Sequence, residues 1–343
     1  MARAEDIGKG PARKPRSCCR ADRSTVRWRT QGRAPAFLIA GTGRCFPCNA
    51  YSDAGVDRLL EVFNSALATA CWLTDIDFGR ETTMWLRLRQ IALVADKLAP
   101  VEQALVDVLG IAVCYRDPAV ATFGLENALF PVGNQFLEVV APVRSGTAGG
   151  RYLERRGGDG GYMVICQCDN HPPRRERVAA LGVRTVFDRD MEDYALMQLH
   201  PKDTGGSFLE IDAQHGPGGL DADGPWHPAG RDWKAGQRLD RVTGIVAAEI
   251  QADNPAAVAR KWSDIVEIPL TRTAAGDPEL ELDNARIRFV SCSDGRPEGL
   301  GGIDINCVDH AGIMAAAARY DAVTGPDQIT LAGLRMNLIT AAS

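Results

Sequence analysis

The sequence predicts an α+β fold built from paired βαβββ modules, with four such modules in one chain. From Met84 onward, apolar residues alternate between a period of two and a period of 3.6, which indicates strands interrupted by helices. The order of one strand, one helix and three strands occurs in residues 84–156 and again in 157–212. A fainter version of the same order fills residues 241–343. A unit that recurs in this way buries its apolar face against its own copy.

Length and composition indicate a folded protein with more than one core. The chain has 343 residues, of which 45% are hydrophobic and 24% are charged, and single cores stop growing near roughly 250–300 residues. No apolar run reaches the roughly 18 residues that a membrane span requires. The net charge of -5 gives no general attraction for nucleic acid. We therefore expect a cytoplasmic protein, a monomeric pseudo-dimer or a homodimer, whose partner is a small molecule rather than nucleic acid or a membrane.

Residues 1–83 are predicted to form a basic, largely disordered extension. The first fifty residues contain eleven Lys or Arg against three acidic residues, and such a composition does not bury a core. One helix is expected within 56–73, where the apolar residues have a helical period. Cys45 and Cys48 have the C-x-x-C spacing of a zinc or redox site, but no second pair follows nearby. We prefer to interpret them as an incidental pair.

The first module begins with a strand at Gln90–Ala95 and an amphipathic helix at 98–108 that ends at Gly110. Gly133 and Asn134 indicate a tight turn further along the module. Three strand-like segments rich in apolar and β-branched residues follow the helix, at 111–115, 125–132 and 135–140.

The second module repeats this order at a constant distance. Leu109-Gly110 matches Leu181-Gly182, and Phe136 matches Phe208; both offsets are 72 residues (181 − 109 and 208 − 136). A glycine follows the helix of both units, as expected where a helix ends in a left-handed residue. The predicted elements of this module are a strand at 162–167, a helix at 173–181, and strands at 183–187, 194–199 and 207–211.

The segments between and after these modules have different compositions. The glycines of 149–150 and 157–161 lack the context of a phosphate loop, and they are interpreted as hinges around the crossover between modules. Residues 213–240 are interpreted as a linker, and Trp226 and Trp233 are expected to pin it across one sheet. In 241–343 we predict helices at 255–263 and 311–320, with strands at 244–251, 265–270, 279–282, 286–291, 302–308 and 329–338.

The last strand of each module carries a glutamate at an equivalent position. Strand alternation places Phe136 and Glu138 on one face of the first module, and it places Phe208 and Glu210 on the equivalent face of the second. The two carboxylates are therefore expected to converge across the axis that relates the modules.

Paired βαβββ modules with a glutamate in each last strand resemble the vicinal oxygen chelate superfamily of glyoxalase-like proteins. The segment His200-Pro-Lys-Asp-Thr-Gly-Gly206, followed by Phe208-Leu-Glu210, is similar to the signature of methylmalonyl-CoA epimerase. Glu138, within Phe136-Leu-Glu-Val-Val-Ala-Pro142, matches the position from which glyoxalase I and related enzymes supply a metal ligand. The motif match places His200, Phe136 and Phe208 as substrate-binding residues.

The resemblance implies a divalent metal ion held by one residue from the first strand and one from the last strand of each module. Gln90, Glu138 and Glu210 match three of these positions. The fourth is expected to be a histidine, but the offset of 72 residues leads to Tyr162, and a shift by one residue leads to Met163. Neither side chain is a usual ligand of a hard divalent ion. His200 could replace the missing ligand only if its strand were displaced.

Two functions follow from the resemblance, and the sequence leaves both open. In the first, the protein is a metal-dependent lyase or isomerase in which Glu138 and Glu210 are catalytic and move a proton next to a carbonyl. In the second, it is a non-catalytic small-molecule binding or resistance protein, which the absence of a fourth ligand favours. A purely structural role is the least supported, because two carboxylates converge.

Removal of the extension provides a test of the predicted domain organisation. Because 1–83 lacks a pattern that forms a core, a chain that begins at Met84 should be as soluble as the full chain and should have the same melting temperature. Differential scanning calorimetry of the two chains measures this. A much lower melting temperature for the shorter chain would show that the extension is part of the fold.

Overall fold

The structure, a computed structural model, describes residues 37–39, 45–47 and 84–340. Phe37–Ile39 (β1) pairs antiparallel with Cys45–Pro47 (β2). The remainder of the predicted extension, including the expected helix within 56–73 and Cys48, lies outside the described residues. Contacts divide the chain into Met1–Glu81 and Thr82–Ser343, and the modules all belong to the second unit.

The first two modules form one sheet of seven strands. The elements are β3 (Leu86–Val94), α1 (Leu98–Leu109), β4 (Leu125–Val132), β5 (Gln135–Pro142), α2 (Ala148–Arg156), β6 (Gly160–Cys168), α3 (His171–Ala180), β7 (Thr185–Asp190), β8 (Tyr194–Leu199) and β9 (Phe208–Gln214). The strand order is β4-β5-β3-β6-β9-β8-β7, with the first strand of each module at the centre and paired antiparallel to the other. The last strand of each module pairs in parallel with its own first strand.

The remaining two modules form a second sheet of eight strands with the same design. The elements are β10 (Val242–Ala252), α4 (Pro255–Val266), β11 (Leu270–Arg272), β12 (Pro278–Glu281), β13 (Arg286–Ser291), β14 (Gly299–Cys307), α5 (His310–Ala318), β15 (Val323–Gly325), β16 (Gln328–Leu331) and β17 (Leu334–Thr340). The strand order is β11-β12-β13-β10-β14-β17-β16-β15. The predicted α+β fold of paired βαβββ modules, four in one chain, is confirmed.

Three local predictions in the modules were wrong. Segment 111–115 forms only an isolated bridge from Tyr115 to Leu129, because a short 3-10 helix starts at Pro118 and turns the chain away. Residues 265–270 are mostly the end of helix α4 and the turn after it. The single strand expected at 329–338 is a hairpin, since Ala332 and Gly333 have positive φ angles of 46° and 65°.

The interpretation of 149–150 as a hinge was also wrong. Both glycines lie inside helix α2, whose first turn is capped by the Thr147 side chain, which accepts a hydrogen bond from the Gly150 backbone amide. Leu125 lies against Gly149, where a side chain would crowd it. These glycines therefore serve the close packing of a helix that crosses between the modules.

One continuous apolar core occupies the facing sides of the two sheets and the helices between them. Helix α1 contacts α5, helix α3 contacts α4, and strand β6 lies against β14. Along β5, Leu137, Val139 and Ala141 point into this core, while Phe136 and Val140 belong to separate clusters on the other face. No helix within 84–340 is long and apolar enough to cross a bilayer.

The face of the first sheet that points away from the core is called the cup here, and it carries Gln90, Glu138, Met163, Glu210 and Asp212. The sheet curls around it, so that its two edges approach one another. Phe123, just before edge strand β4, packs edge-to-face on Phe187 of the opposite edge strand β7, with ring centroids 5.4 Å apart.

The turn between β4 and β5 offers a test of how the two sheets fit together. Gly133 has a φ of 65°, and a Cβ atom there would lie 2.1 Å from the carbonyl oxygen of Thr243. Gly146 has a similar φ of 74° but no atom within 4 Å of an added Cβ. Gly146→Ala should therefore show only the backbone penalty of about 1 kcal/mol, whereas Gly133→Ala should lower the free energy of unfolding by about 3 kcal/mol or more.

Urea unfolding of both variants measures the difference. Equal free energies of unfolding for the two variants would contradict the close approach of the β4–β5 turn to strand β10.

Candidate functional site

The two glutamates predicted to converge both lie in the cup. Glu138 comes from β5 and Glu210 from β9, and they are 9% and 8% exposed. Burial raises the pKa of Glu138, hydrogen bonds from Asn127 and Gln90 lower it, and the charge of Glu210 raises it, so that the net pKa is about 7. Burial also raises the pKa of Glu210. The two carboxyl groups are thus electrostatically coupled in a site with little access to water.

Glu138 is held by neutral amide groups. Asn127 Nδ2 donates to its Oε1 atom at 2.7 Å, and Gln90 Nε2 donates to its Oε2 atom at 2.9 Å. The carbonyl oxygen of Gln90 accepts a hydrogen bond of 2.8 Å from Trp226 Nε1. This chain of bonds fixes the Gln90 amide with its nitrogen toward Glu138 and its oxygen toward the indole.

Glu210 has a second acid beside it. Asp212 lies two residues further along β9, on the same face, and is 0% exposed. Burial raises the pKa of Asp212 well above its usual range, and the Glu210 charge adds to the effect. The Tyr194 hydroxyl donates to Asp212 Oδ2, and Gln198 Nε2 donates to Glu210 Oε2 at 2.8 Å. The two carboxyl groups therefore form an adjacent pair in which ionisation of both is unfavourable.

Two β-bulges decide which first-strand residues face the cup. The pairing between β3 and β6 skips one residue at Arg89 and one at Tyr162. The parallel pairing then aligns Gln90 with Phe136 in one module and Met163 with Phe208 in the other. The residue equivalent to Gln90 is therefore Met163, at an offset of 73 (163 − 90), and not Tyr162.

The donor set does not fit the metal site that the resemblance implies. The fourth position is the thioether of Met163, a soft ligand, and it lies 3.4 Å from Gln198 Nε2. The carbonyl oxygen of Gln90, the donor atom that a metal would use, is bonded to the Trp226 indole. Within 84–340 no group of three or more His, Cys, Asp or Glu side chains has an arrangement that could hold a metal ion.

The segment interpreted as a linker lies across one side of the cup. We call residues 215–241 the strap. Arg87 donates to the carbonyl oxygen of Leu220, and Arg89 donates to those of Ala222 and Gly224. These bonds fix the backbone of the strap to strand β3. A segment held in this way is ordered by the sheet beneath it.

Both tryptophans of the strap are buried, as the sequence led us to expect. Trp226 packs edge-to-face on Tyr194 at 5.4 Å, and Trp233 packs edge-to-face on Phe136 at 5.1 Å. The strap therefore covers the part of the cup around Phe136, whose side chain is fully buried.

The three predicted substrate-binding residues have different surroundings. Phe136 lies beneath Trp233, and Phe208 is half-buried beside Tyr162. His200 lies in the turn after β8, where its Nδ1 atom accepts a hydrogen bond from the Lys202 backbone amide at 3.1 Å. Its backbone amide donates to the carbonyl oxygen of Arg184 at 2.8 Å, and none of its described hydrogen bonds involves Glu138 or Glu210.

Sequence reasoning did not find several polar residues of the cup. Three of them lie on β4 and β8, where alternation from the predicted strands could have placed them on the same face as the glutamates. Alternation along the last strand does place Asp212 on the face of Glu210, but it gives no sign of a role for it. The contact of Trp226 with Gln90 could not be found in this way, because Trp226 comes from a segment without periodicity. The residues missed on β4 and β8 are Asn127, Tyr194 and Gln198.

The side of the cup that lies on the second module, away from the strap, is less deeply buried. Met163, Leu196, Gln198 and Phe208 are half-buried there. The rim of the cup that solvent reaches on this side therefore consists mainly of apolar side chains.

Comparison with known proteins supports the fold. No protein-family model matches the sequence, and no curated protein matches it. A hypothetical protein from Staphylococcus aureus is similar in structure, with a TM-score of 0.51 and 11% identity, over 75% of this chain and 100% of that chain. The likeness to the S. aureus protein shows a shared fold.

Two epimerase structures also show similarity, over shorter stretches. A Streptomyces coelicolor methylmalonyl-CoA epimerase in complex with 2-nitronate-propionyl-CoA has 18% identity and a TM-score of 0.34, over 38% of this chain and 98% of that chain. Methylmalonyl-CoA epimerase from Mycobacterium tuberculosis has 22% identity and a TM-score of 0.34, over 38% of this chain and 88% of that chain.

The raised pKa of Glu138 predicts a specific dependence of stability on pH. A carboxyl whose pKa is about 7 in the folded protein and 4.5 when unfolded stabilises the fold fully below the unfolded value. That stability is lost as the pH rises toward 7, and the loss is roughly 3 kcal/mol. Glu138→Gln should remove this contribution, so the variant should be relatively more stable at pH 8 than at pH 4.5.

Urea unfolding of wild type and variant from pH 4 to pH 8 tests this. The exposed Glu126 lies on the neighbouring strand β4, and Glu126→Gln is the matched control. If Glu138→Gln and Glu126→Gln changed the pH dependence equally, the burial of an uncompensated Glu138 would be wrong.

Proposed function

We propose that this chain is a member of the vicinal oxygen chelate superfamily whose first two modules bind a small molecule in the cup without a catalytic divalent metal ion. The observation that carries this proposal is the donor set at the centre of the cup. Met163 occupies the fourth ligand position, and the carbonyl oxygen of Gln90 is bonded to Trp226. A hard divalent ion would find two carboxylate ligands here, but Met163 and Gln90 would not supply the other two.

The charge of the cup favours binding over the metal-dependent chemistry of a lyase or isomerase. Proton abstraction next to a carbonyl produces an enolate, which needs a cation or several preorganised donors. The cup already contains the three carboxyl groups of Glu138, Glu210 and Asp212. The neighbouring N–H and O–H donors form hydrogen bonds to these carboxyl groups and are not free to bind an enolate. An anionic intermediate would be repelled there.

A second candidate function rests on a different observation. The pKa of Glu138 is raised to about 7, which suits a general base or acid near neutral pH. A lyase or isomerase in which Glu138 and Glu210 exchange a proton with the substrate is therefore the alternative. One glutamate would take a proton from the substrate while the other gives a proton to it in the same step, so that no free anion is formed. The cytoplasmic location and the monomeric pseudo-dimer or homodimer state remain predictions.

Metal analysis of the purified full chain tests whether the cup binds a divalent metal ion. After incubation with Mg²⁺, Mn²⁺, Ni²⁺ or Zn²⁺ and gel filtration, inductively coupled plasma mass spectrometry should find well below one metal ion per chain. Glu210→Gln and the exposed control Glu154→Gln should give the same low value. One ion per chain in the wild type and the control, lost in Glu210→Gln, would contradict the proposal and support a metal-dependent enzyme.

A further inference from the structure

We propose that the cup takes an organic ammonium ion, an amine on a small apolar or aromatic frame, at the place where the resemblance implies a divalent metal. This inference rests on the proposed binding function and names its ligand class. Glu138 and Glu210 supply carboxyl groups at two of the implied ligand positions, whereas Gln90 and Met163 at the other two do not suit a hard metal ion. A cation that needs few inner ligands and tolerates apolar walls fits this combination.

The carboxyl groups of the cup have no cationic partner within the described part of the second unit. The ion pairs found in 84–340 do not include Glu138, Glu210 or Asp212. Their donors are amides and one phenol. Burial of a carboxylate without a cation is unfavourable, whereas an ammonium group brings a positive charge and up to three N–H donors.

A buried oxygen atom in the same place has no donor. Asp212 Oδ1 is inaccessible to water and accepts no hydrogen bond from an N–H or O–H group of the described residues. Its side chain is next to Glu210. An ammonium ion would bring a positive charge to both carboxyl groups and an N–H donor to Asp212 Oδ1.

The walls of the cup suit an organic cation better than a hydrated metal ion. Tyr162 packs edge-to-face on Phe208 with ring centroids 5.0 Å apart, and Tyr152 packs on Tyr162 at 4.8 Å. Aromatic faces attract ammonium ions through the ring quadrupole. The half-buried Met163 thioether adds a polarisable apolar surface at the rim of the cup. Apolar walls offer no hydrogen bonds to the water molecules that Mg²⁺ or Ca²⁺ would retain.

The two buried arginines of β3 do not neutralise the cup, and the first, Arg87, donates to the carbonyl oxygen of Leu220 in the strap. The Arg89 guanidinium donates to backbone carbonyl oxygens of Asn134, Ala222 and Gly224. It also lies near the rings of Trp226 and Trp233, at 5.5 Å and 5.9 Å. The Arg89 guanidinium therefore binds the strap and forms no ion pair with Glu138, Glu210 or Asp212. These three carboxyl groups can accept a cationic ligand.

Three probes of similar shape and different charge test the ligand class on the full chain: benzylamine, benzyl alcohol and benzoate. Isothermal titration calorimetry at pH 7.5 should show benzylamine binding at least about tenfold more tightly than benzyl alcohol, with no binding of benzoate. Glu210→Gln and Glu138→Gln should each weaken benzylamine by about tenfold or more and leave benzyl alcohol unchanged. Glu126→Gln, on the outside of β4, should bind like the wild type.

The outcomes distinguish the ligand class from the binding function. Equal affinity for benzylamine and benzyl alcohol, or a preference for benzoate, would overturn the ammonium class and leave binding in the cup intact, provided that Phe208→Ala weakens the bound probe. Benzylamine binding that neither glutamate variant changes would place the ligand elsewhere and overturn the inference. No binding of any probe would overturn both proposals. Thermal melting of each variant checks that it is folded.

Discussion

The burial of three acids on one face of a sheet, without a cation beside them, is the constraint on which this site depends. Glu138, Glu210 and Asp212 are almost inaccessible to water, and the described residues give them hydrogen bonds but no ion pair. Charged groups in such surroundings must lose their charge or acquire a counter-ion. The Gln90 amide donates to Glu138, the Tyr194 hydroxyl donates to Asp212, and the Trp226 indole of the strap fixes the Gln90 amide.

The second sheet meets the same problem in a different way. On the corresponding face, Arg288 pairs with Asp304 and Glu249, and Arg335 pairs with Glu249 and Asp294. Its charges are compensated within the protein, so this face needs no ligand. Breaking such a network would leave an unpaired buried charge. Among the described residues, buried acids without an ion pair occur only in the first pair of modules, and this is why we place the function there.

The strap connects the site to the rest of the fold. Its backbone is fixed by two arginines of the central strand β3, and burial lowers the pKa of Arg89 to about 10. Such an arginine remains charged at neutral pH. Hydrogen bonds to backbone carbonyl oxygens and contacts with aromatic rings stabilise its charge. The strap therefore covers one side of the cup through polar bonds to its backbone and apolar contacts of Trp226 and Trp233. On the other side of the cup, Met163 and Phe208 are only half-buried.

The sequence by itself determined the modules, because strand and helix periods and the offset of 72 residues are local properties of the chain. It also placed Glu138 and Glu210 on equivalent faces, since alternation within a strand needs no tertiary information. Only the tertiary structure decided the rest. A β-bulge, which depends on the partner strand, made Met163 rather than Tyr162 the equivalent of Gln90. Long-range contacts brought Trp226 to Gln90 from 136 residues away, and no local pattern encodes a bond between segments that meet only in the folded chain.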